Sequence, residues 1–106
     1  MAWITLFLAG VFEIAWAVGL KYTEQFTRPL PTVLTVVAMI ASVVLLEHAV
    51  RTLPLGTAYA IWTGIGAIGT VLFGIWLFGE STSIARMVCL ALIVIGIVGL
   101  RVISVS

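Results

Sequence analysis

GVFEIAWA, residues 10–17, places one glutamate, Glu13, inside an apolar run that extends from Ala2 to Leu20. A helix needs about 20 apolar residues to cross a bilayer, and this run is close to that length. An ionisable side chain within such a helix costs free energy and is by default a candidate functional site. The stretch therefore predicts both a membrane-spanning helix and a functional carboxylate within it.

The composition of the whole chain predicts the same setting. Of its 106 residues 63% are hydrophobic and 8% are charged, whereas about 25% of the residues of a soluble domain are charged. We expect an integral membrane protein in contact with the lipid bilayer. The net charge of +1 and the absence of a lysine or arginine run exclude a basic nucleic-acid binder.

Three further apolar segments follow the first one. A spanning segment must satisfy its own backbone hydrogen bonds, so all four should be helices. No linker or repeat divides the chain, which predicts one all-α transmembrane domain over residues 1–106. The expected helices cover about residues 2–20, 30–46, 54–78 and 84–103. Pro29, Pro54 and Gly79 fit the starts and ends of these helices.

The chain shows no sign of an enzyme or of a cofactor site. Cys89 is the single cysteine, which excludes an intrachain disulfide or a cysteine metal cluster. We expect it to pack as a small apolar residue in the last helix. No phosphate-binding loop, nucleophile triad or metal-ligand cluster is visible, so the sequence predicts neither catalysis nor a metal.

The basic residues are divided almost evenly between the two sides of the membrane. With four spans, Arg51 and Arg101 fall on one side, and Lys21, Arg28 and Arg86 fall on the other. A lysine and arginine excess on cytoplasmic loops normally sets the orientation, and here it is nearly absent. We expect insertion in both orientations. Two opposite copies would supply the inverted symmetry on which many transporters are built.

Glu13 is the strongest candidate for chemistry. Desolvation disfavours its charged form, so protons and a cation are expected to compete for it. Trp16 lies on the same helix face, three residues on, and its indole offers a cation–π surface. Gly10 leaves space on that face. The alternative is a structural glutamate that forms a hydrogen bond with a neighbouring helix.

The third helix carries a second pattern of spaced residues. Tyr59 and Trp62 are three residues apart and share a face, and Gly64, Gly66 and Gly69 thin the middle of the helix. Small residues of this kind commonly serve close helix packing. The functional interpretation adds a bend through which the helix gates access from either side.

The second helix offers one deep polar side chain, Ser42. It could donate a hydrogen bond to Glu13, or it could bond to its own helix backbone. Glu47, His48 and Arg51 lie at the end of this helix, where we interpret them as a solvated boundary and not as a proton relay.

The sequence resembles the small multidrug resistance family of proton-coupled antiporters, and within it the guanidinium-exporter subtype. The resemblance covers essentially the whole chain. It rests on FEIAWAVGLKY around Glu13, on QFTRPLP in the first connection, and on PLGTAYAIWTGIGA in helix three. Multidrug members usually lack a tryptophan three residues after the glutamate, so Trp16 favours the guanidinium subtype. Arg101 departs from a lysine that is common in the family.

The resemblance implies an antiparallel, dual-topology homodimer in the bacterial inner membrane. Both copies of Glu13 would line one central site, where protons and guanidinium compete. Four further residues match positions that place or support the glutamate: Trp16, Ser42, Tyr59 and Trp62. Helix four would mediate much of the dimer contact, with close approach at Gly96 and Gly99.

Three alternative functions remain open from the sequence. A quaternary ammonium exporter belongs to the same class, because the sequence difference between the subtypes is small. A non-transporting membrane assembly subunit would not require Glu13 for the activity of its complex. A passive channel would carry a flux that ignores the proton gradient.

Overall fold

The computed structural model describes residues 2–104, and within them the chain forms four α-helices. They are α1 (Ala2–Tyr22), α2 (Pro29–Ala49), α3 (Leu55–Phe78) and α4 (Ile84–Ser104). Each is long and apolar enough to cross a membrane. The four predicted helices are confirmed. The largest difference is at the end of α2, which continues from the predicted 46 to residue 49 because the helix runs on through its polar boundary.

The helix ends follow the local sequence. The helix α2 begins at Pro29, where the fixed φ of proline suits a first helical turn. The helix α3 follows Pro54 directly and ends at Phe78. The next residue is Gly79, whose φ of +65° lies in the left-handed region that favours glycine. The Ser83 hydroxyl accepts a hydrogen bond from the backbone N–H of Arg86 at 3.3 Å, which caps the start of α4.

The helices form a thin layer in the order α2, α1, α3, α4. The first helix packs against α2 on one side and α3 on the other, and α3 packs in turn against α4. The layer measures 46 × 35 × 17 Å along its principal axes. A helix with its side chains is about 10–12 Å across, so this thickness is less than two helices. One chain of this shape does not surround a transport pathway.

The start of α1 and the end of α4 lie at the same end of the layer. The Arg101 guanidinium is stacked over the Trp3 ring, 4.3 Å from its centroid. At the opposite end, the Lys21 ammonium lies 5.0 Å from the centroid of the Phe78 ring. These contacts agree with an even number of membrane crossings. The assignment of the basic residues to two sides of the membrane assumes such a number.

The helix α4 leaves most of its surface uncovered. Leu92 and Ile95 are 62% and 66% exposed, and a Cβ atom at Gly96 or Gly99 would meet no atom within 4 Å. Cys89 lies in α4, as predicted, and its side chain is exposed on the outside of the chain. The reason is that α4 contacts its neighbours along one side only. The other side is free for lipid or a second chain.

Candidate functional site

The Glu13 side chain lies between α1 and α3, directly against Gly66. A Cβ atom at Gly66 would overlap the Oε1 atom of Glu13 and would lie 2.8 Å from its Cγ atom. Glycine is therefore what makes room for the carboxyl group. The Oε1 atom is buried, and it has no hydrogen-bond partner within residues 2–104.

None of the basic residues of the chain is paired with Glu13. Arg51 pairs with Glu47 and Arg86 pairs with Glu80, and no ion pair in the described part of the chain includes Glu13. The carboxyl group is thus left without a paired cation among the described residues.

Trp16 shares this condition. Its indole Nε1 atom is buried and has no hydrogen-bond partner among the described residues, and it lies one helical turn after Glu13. Unpartnered polar groups are costly in a medium without water. An acceptor and a donor left open on neighbouring turns of α1 form an arrangement that a polar or charged ligand can satisfy.

A second polar cluster lies close by, and its hydrogen bonds are made. The Trp62 indole donates to the Ser42 hydroxyl at 2.8 Å, and that hydroxyl donates to the Ala9 carbonyl at 2.7 Å. The ring of Tyr59 lies 5.5 Å from that of Trp62, between centroids, with 56° between the planes. The cluster links α1, α2 and α3. The predicted shared face of Tyr59 and Trp62 is confirmed.

The first of the two alternatives for Ser42, a hydrogen bond to Glu13, is not present. The single hydroxyl proton of Ser42 goes to Ala9 on α1, so it is not available to a carboxylate in this conformation. The alternative of a bond to its own helix is also wrong, because α2 lies close enough to α1 for a bond between helices. Ser42 is completely buried at this contact.

The glycines of α1 and α3 serve close packing. A Cβ atom at Gly10 would lie 2.6 Å from Cγ2 of Ile65, so the space predicted beside Glu13 is already filled from α3. Gly64 faces Ile97 of α4. Gly69 faces Ile14 of α1. The gating role assigned to Gly64 and Gly66 stays a prediction.

The end of α2 carries exposed charged side chains, which is compatible with the predicted solvated boundary. Arg51 donates two hydrogen bonds of 3.0 Å to the carboxylate of Glu47, and both side chains are exposed, as is His48. By accepting these hydrogen bonds, the Glu47 carboxylate raises the pKa of the Arg51 guanidinium above its ordinary value. Across the described residues no group of histidine, cysteine or acidic side chains is suited to hold a metal.

Sequence reasoning missed three features of this region. The Ala9 carbonyl is a partner of Ser42 that belongs to the backbone and leaves no mark in the side-chain pattern. The contact of Gly66 with Glu13 depends on the register between two helices. Thr35, in α2, is 2% exposed and its hydroxyl oxygen has no partner within residues 2–104. In the sequence, the buried hydroxyl of Thr35 is indicated only by the presence of a threonine within an apolar run.

Comparison with known proteins gives one consistent result. Residues 1–93 match the family described as Small Multidrug Resistance protein. A guanidinium exporter from Proteus vulgaris is 60% identical over 104 residues, which are 98% of this chain and 100% of that protein. Guanidinium exporters from Citrobacter freundii and Yersinia pestis are each 57% identical, over 95% and 98% of this chain and 96% and 100% of their own lengths. The chain belongs to the small multidrug resistance family.

Proposed function

We propose that the chain is a proton-coupled antiporter that exports guanidinium across the bacterial inner membrane. The observation that carries the proposal is the Glu13 carboxyl group, which is placed against Gly66 with a buried oxygen and no internal partner. The similarity to proteins named as guanidinium exporters supports this substrate. It also points to a transporter and away from an enzyme.

Guanidinium suits the open acceptor of Glu13. It is a planar cation whose N–H groups can pair with a carboxylate as an arginine head does. The Trp16 indole, one turn away, adds an aromatic face for the cation. Trp62 and Tyr59 would line the same site from α3, with Ser42 fixing the position of the Trp62 ring through its hydrogen bond.

The working unit in this proposal is an antiparallel homodimer. The layer formed by one chain is only 17 Å thick, so a second layer is needed to enclose the cation. The uncovered side of α4, with Gly96 and Gly99, offers a surface for that contact. The even division of basic residues between the two ends is compatible with opposite orientations. The two Glu13 carboxylates would then face one central site.

Coupling follows from competition for these carboxylates. A proton and guanidinium neutralise the same charge, so binding of one releases the other. Two facing carboxyl groups titrate as a coupled pair, so the pKa values belong to the pair and not to either group alone. Protons would displace the cation on the acidic outer side, and cytoplasmic guanidinium would displace the protons. The site would alternate between two conformations, each open to one side of the membrane. In an antiparallel dimer these two conformations interchange when the protomers swap roles.

A quaternary ammonium exporter is the second candidate, and the description of the matching family as Small Multidrug Resistance protein favours it. A quaternary ammonium ion carries no N–H group. It would be held by charge and by the aromatic rings, and it would leave the acceptor sites of Glu13 without hydrogen bonds. Competition between guanidinium and a quaternary ammonium ion for transport distinguishes the two candidate functions.

The test is an exchange assay in liposomes. Purified protein is reconstituted with a pH-sensitive dye inside, and an inward guanidinium gradient is applied at equal pH. We expect protons to leave the liposomes as guanidinium enters. Glu13→Gln should abolish this exchange. Glu47→Gln is the matched control, because Glu47 is an exposed carboxylate in an ion pair at the membrane boundary, and it should retain exchange.

The other outcomes each support a different function. Guanidinium uptake without proton movement indicates a passive channel. Exchange driven only by a tetraalkylammonium ion indicates the multidrug subtype. Protein that moves neither cation would indicate an assembly subunit, and exchange retained by Glu13→Gln would overturn the proposed mechanism.

A further inference from the structure

A groove of about 490 Å³ runs between α1 and α2, away from the candidate transport site. Helical geometry places Val18 and Tyr22 about 140° and 180° around α1 from Glu13. The groove therefore opens on the opposite face of α1. Its wall is mainly apolar and includes Ala15, Val18, Leu30, Leu34 and Ala38. Nothing in the proposed transport mechanism uses it.

Arg28 stands at the mouth of this groove, and its charge has no partner among the described residues. All five lysine and arginine residues lie in the described part of the chain. The other four are each placed beside a carboxylate or an aromatic ring. The Arg28 side chain makes no ion pair, hydrogen bond or ring contact within residues 2–104. It does not cap α2 either, since Arg28 makes no side-chain capping hydrogen bond.

Thr35 lies deeper on the wall of the same groove. The residue is 2% exposed, and its hydroxyl oxygen makes no hydrogen bond within the described residues. Gly19 of α1 faces it, and a Cβ atom there would overlap the hydroxyl oxygen. A hydroxyl group without a partner is costly in an apolar medium. The groove thus holds a free cation at its mouth and a free hydrogen-bonding group within.

The spacing of these groups describes their ligand. Thr35 lies seven positions after Arg28, which corresponds to about 10 Å along the helix, and Ala38 lies about 15 Å from Arg28. A molecule that matches Arg28, Thr35 and the apolar wall has an anionic head, an acceptor below it, and an apolar tail. An anionic phospholipid has this order of groups, in its phosphate, ester carbonyl and acyl chain. Lipid is also the medium around a membrane helix.

We infer that the groove between α1 and α2 is a binding site for one anionic phospholipid, with its phosphate on Arg28. The Thr35 hydroxyl donates to an ester carbonyl, and one acyl chain lies along Val18, Leu34 and Ala38. The site is separate from cation transport, so it stands whether or not the proposed function is correct.

Native mass spectrometry of the purified full-length protein tests the site. Phosphatidylglycerol and phosphatidylcholine with the same acyl chains are titrated separately. We expect tighter binding of phosphatidylglycerol, and Arg28→Gln should weaken it about fivefold or more. Lys21→Gln is the matched control, because Lys21 is a cation at the same membrane end but lies over Phe78 and does not line the groove. It should retain the preference.

A second variant fills the groove without changing any charge. Ala15 is exposed on the groove wall, so Ala15→Phe should fold normally and should weaken phosphatidylglycerol binding. Equal binding of the two lipids, or an unchanged preference in Arg28→Gln, would overturn the inference.

A cross-linking experiment tests the competing occupant, a second copy of this chain. Leu34→Cys is placed in a Cys89→Ala background, which removes the exposed native thiol. We expect Leu34→Cys to form no disulfide-linked dimer in membranes under oxidation. Efficient cross-linking through this position would show that protein covers the groove, and it would overturn the lipid assignment.

Discussion

Two polar sites lie within the apolar layer of this chain, and they differ in whether their hydrogen bonds are made. In the cluster of Trp62, Ser42 and the Ala9 carbonyl, each donor has an acceptor at 2.7–2.8 Å. At Glu13 and Trp16, a carboxyl oxygen and an indole nitrogen are buried with no partner within residues 2–104.

The difference separates a structural role from a binding role. A satisfied cluster stabilises the contact between the helices that contribute to it. The two unsatisfied groups cost free energy in the empty protein, and a cation whose N–H groups donate to the carboxyl oxygen recovers the part that belongs to Glu13. Glycine at position 66 makes room for the carboxyl group of Glu13. The unpartnered carboxyl group is therefore accommodated where α1 packs against α3.

The largest expected effect comes from closing the space beside Glu13. Gly66→Ala adds a methyl group that overlaps the carboxyl group. Because Glu13 or a helix must move, transport should fall to background, and the free energy of unfolding should fall by about 1–3 kcal/mol. Exchange in liposomes and denaturant unfolding in detergent measure the two quantities.

Gly56→Ala is the matched control for that variant. Gly56 lies in the same helix, and a Cβ atom there would meet no atom within 4 Å. It should transport normally and should gain up to about 1 kcal/mol of stability, because alanine favours the helix. Normal transport by Gly66→Ala would mean that Glu13 does not work from the position seen here.

A smaller effect is expected at the satisfied cluster. Ser42→Ala should cost about 1 kcal/mol of stability, because it leaves the Trp62 N–H unpaired and removes the hydrogen bond that joins α2 to the Ala9 carbonyl of α1. Trp62→Phe removes one of the same bonds. The loss in the double variant should therefore be smaller than the sum of the two by about 0.6 kcal/mol. Strict additivity in unfolding experiments would contradict a shared network.

The smallest change in stability is expected at Trp16. Trp16→Phe removes an indole N–H that has no partner in the empty protein, so unfolding should change by less than about 0.5 kcal/mol. Guanidinium affinity should nevertheless fall, since the indole presents a better cation–π surface than a phenyl ring. A loss of stability as large as that of Trp62→Phe would show that the two indoles serve the same role.

Much of the fold follows from the sequence alone. Segment length and apolar character predict the four helices, and Pro29 and Gly79 mark where two of them begin and end. These signals are local, because each helix satisfies its own backbone. The candidate carboxylate is also visible in one segment, since Glu13 is the single charged residue between Ala2 and Leu20.

The partners of each polar group could not be predicted in this way. Gly66 meets Glu13 across 53 positions of the chain, and the contact depends on how α1 and α3 are rotated and shifted. The Ser42 hydroxyl bonds to a backbone carbonyl, which has no side-chain signal. The exposure of Cys89 could not be predicted either, because hydrophobicity does not distinguish a helix face that meets protein from one that meets lipid.

The central claim is that protons and guanidinium compete for Glu13, and the pH dependence of guanidinium binding tests it most directly. Tryptophan fluorescence of the purified protein can follow binding across the acidic and neutral range. We predict that the dissociation constant rises about tenfold per pH unit, for each proton displaced, as the pH falls below the titration of the site. It should level off at higher pH. A dissociation constant that does not change with pH would contradict the account.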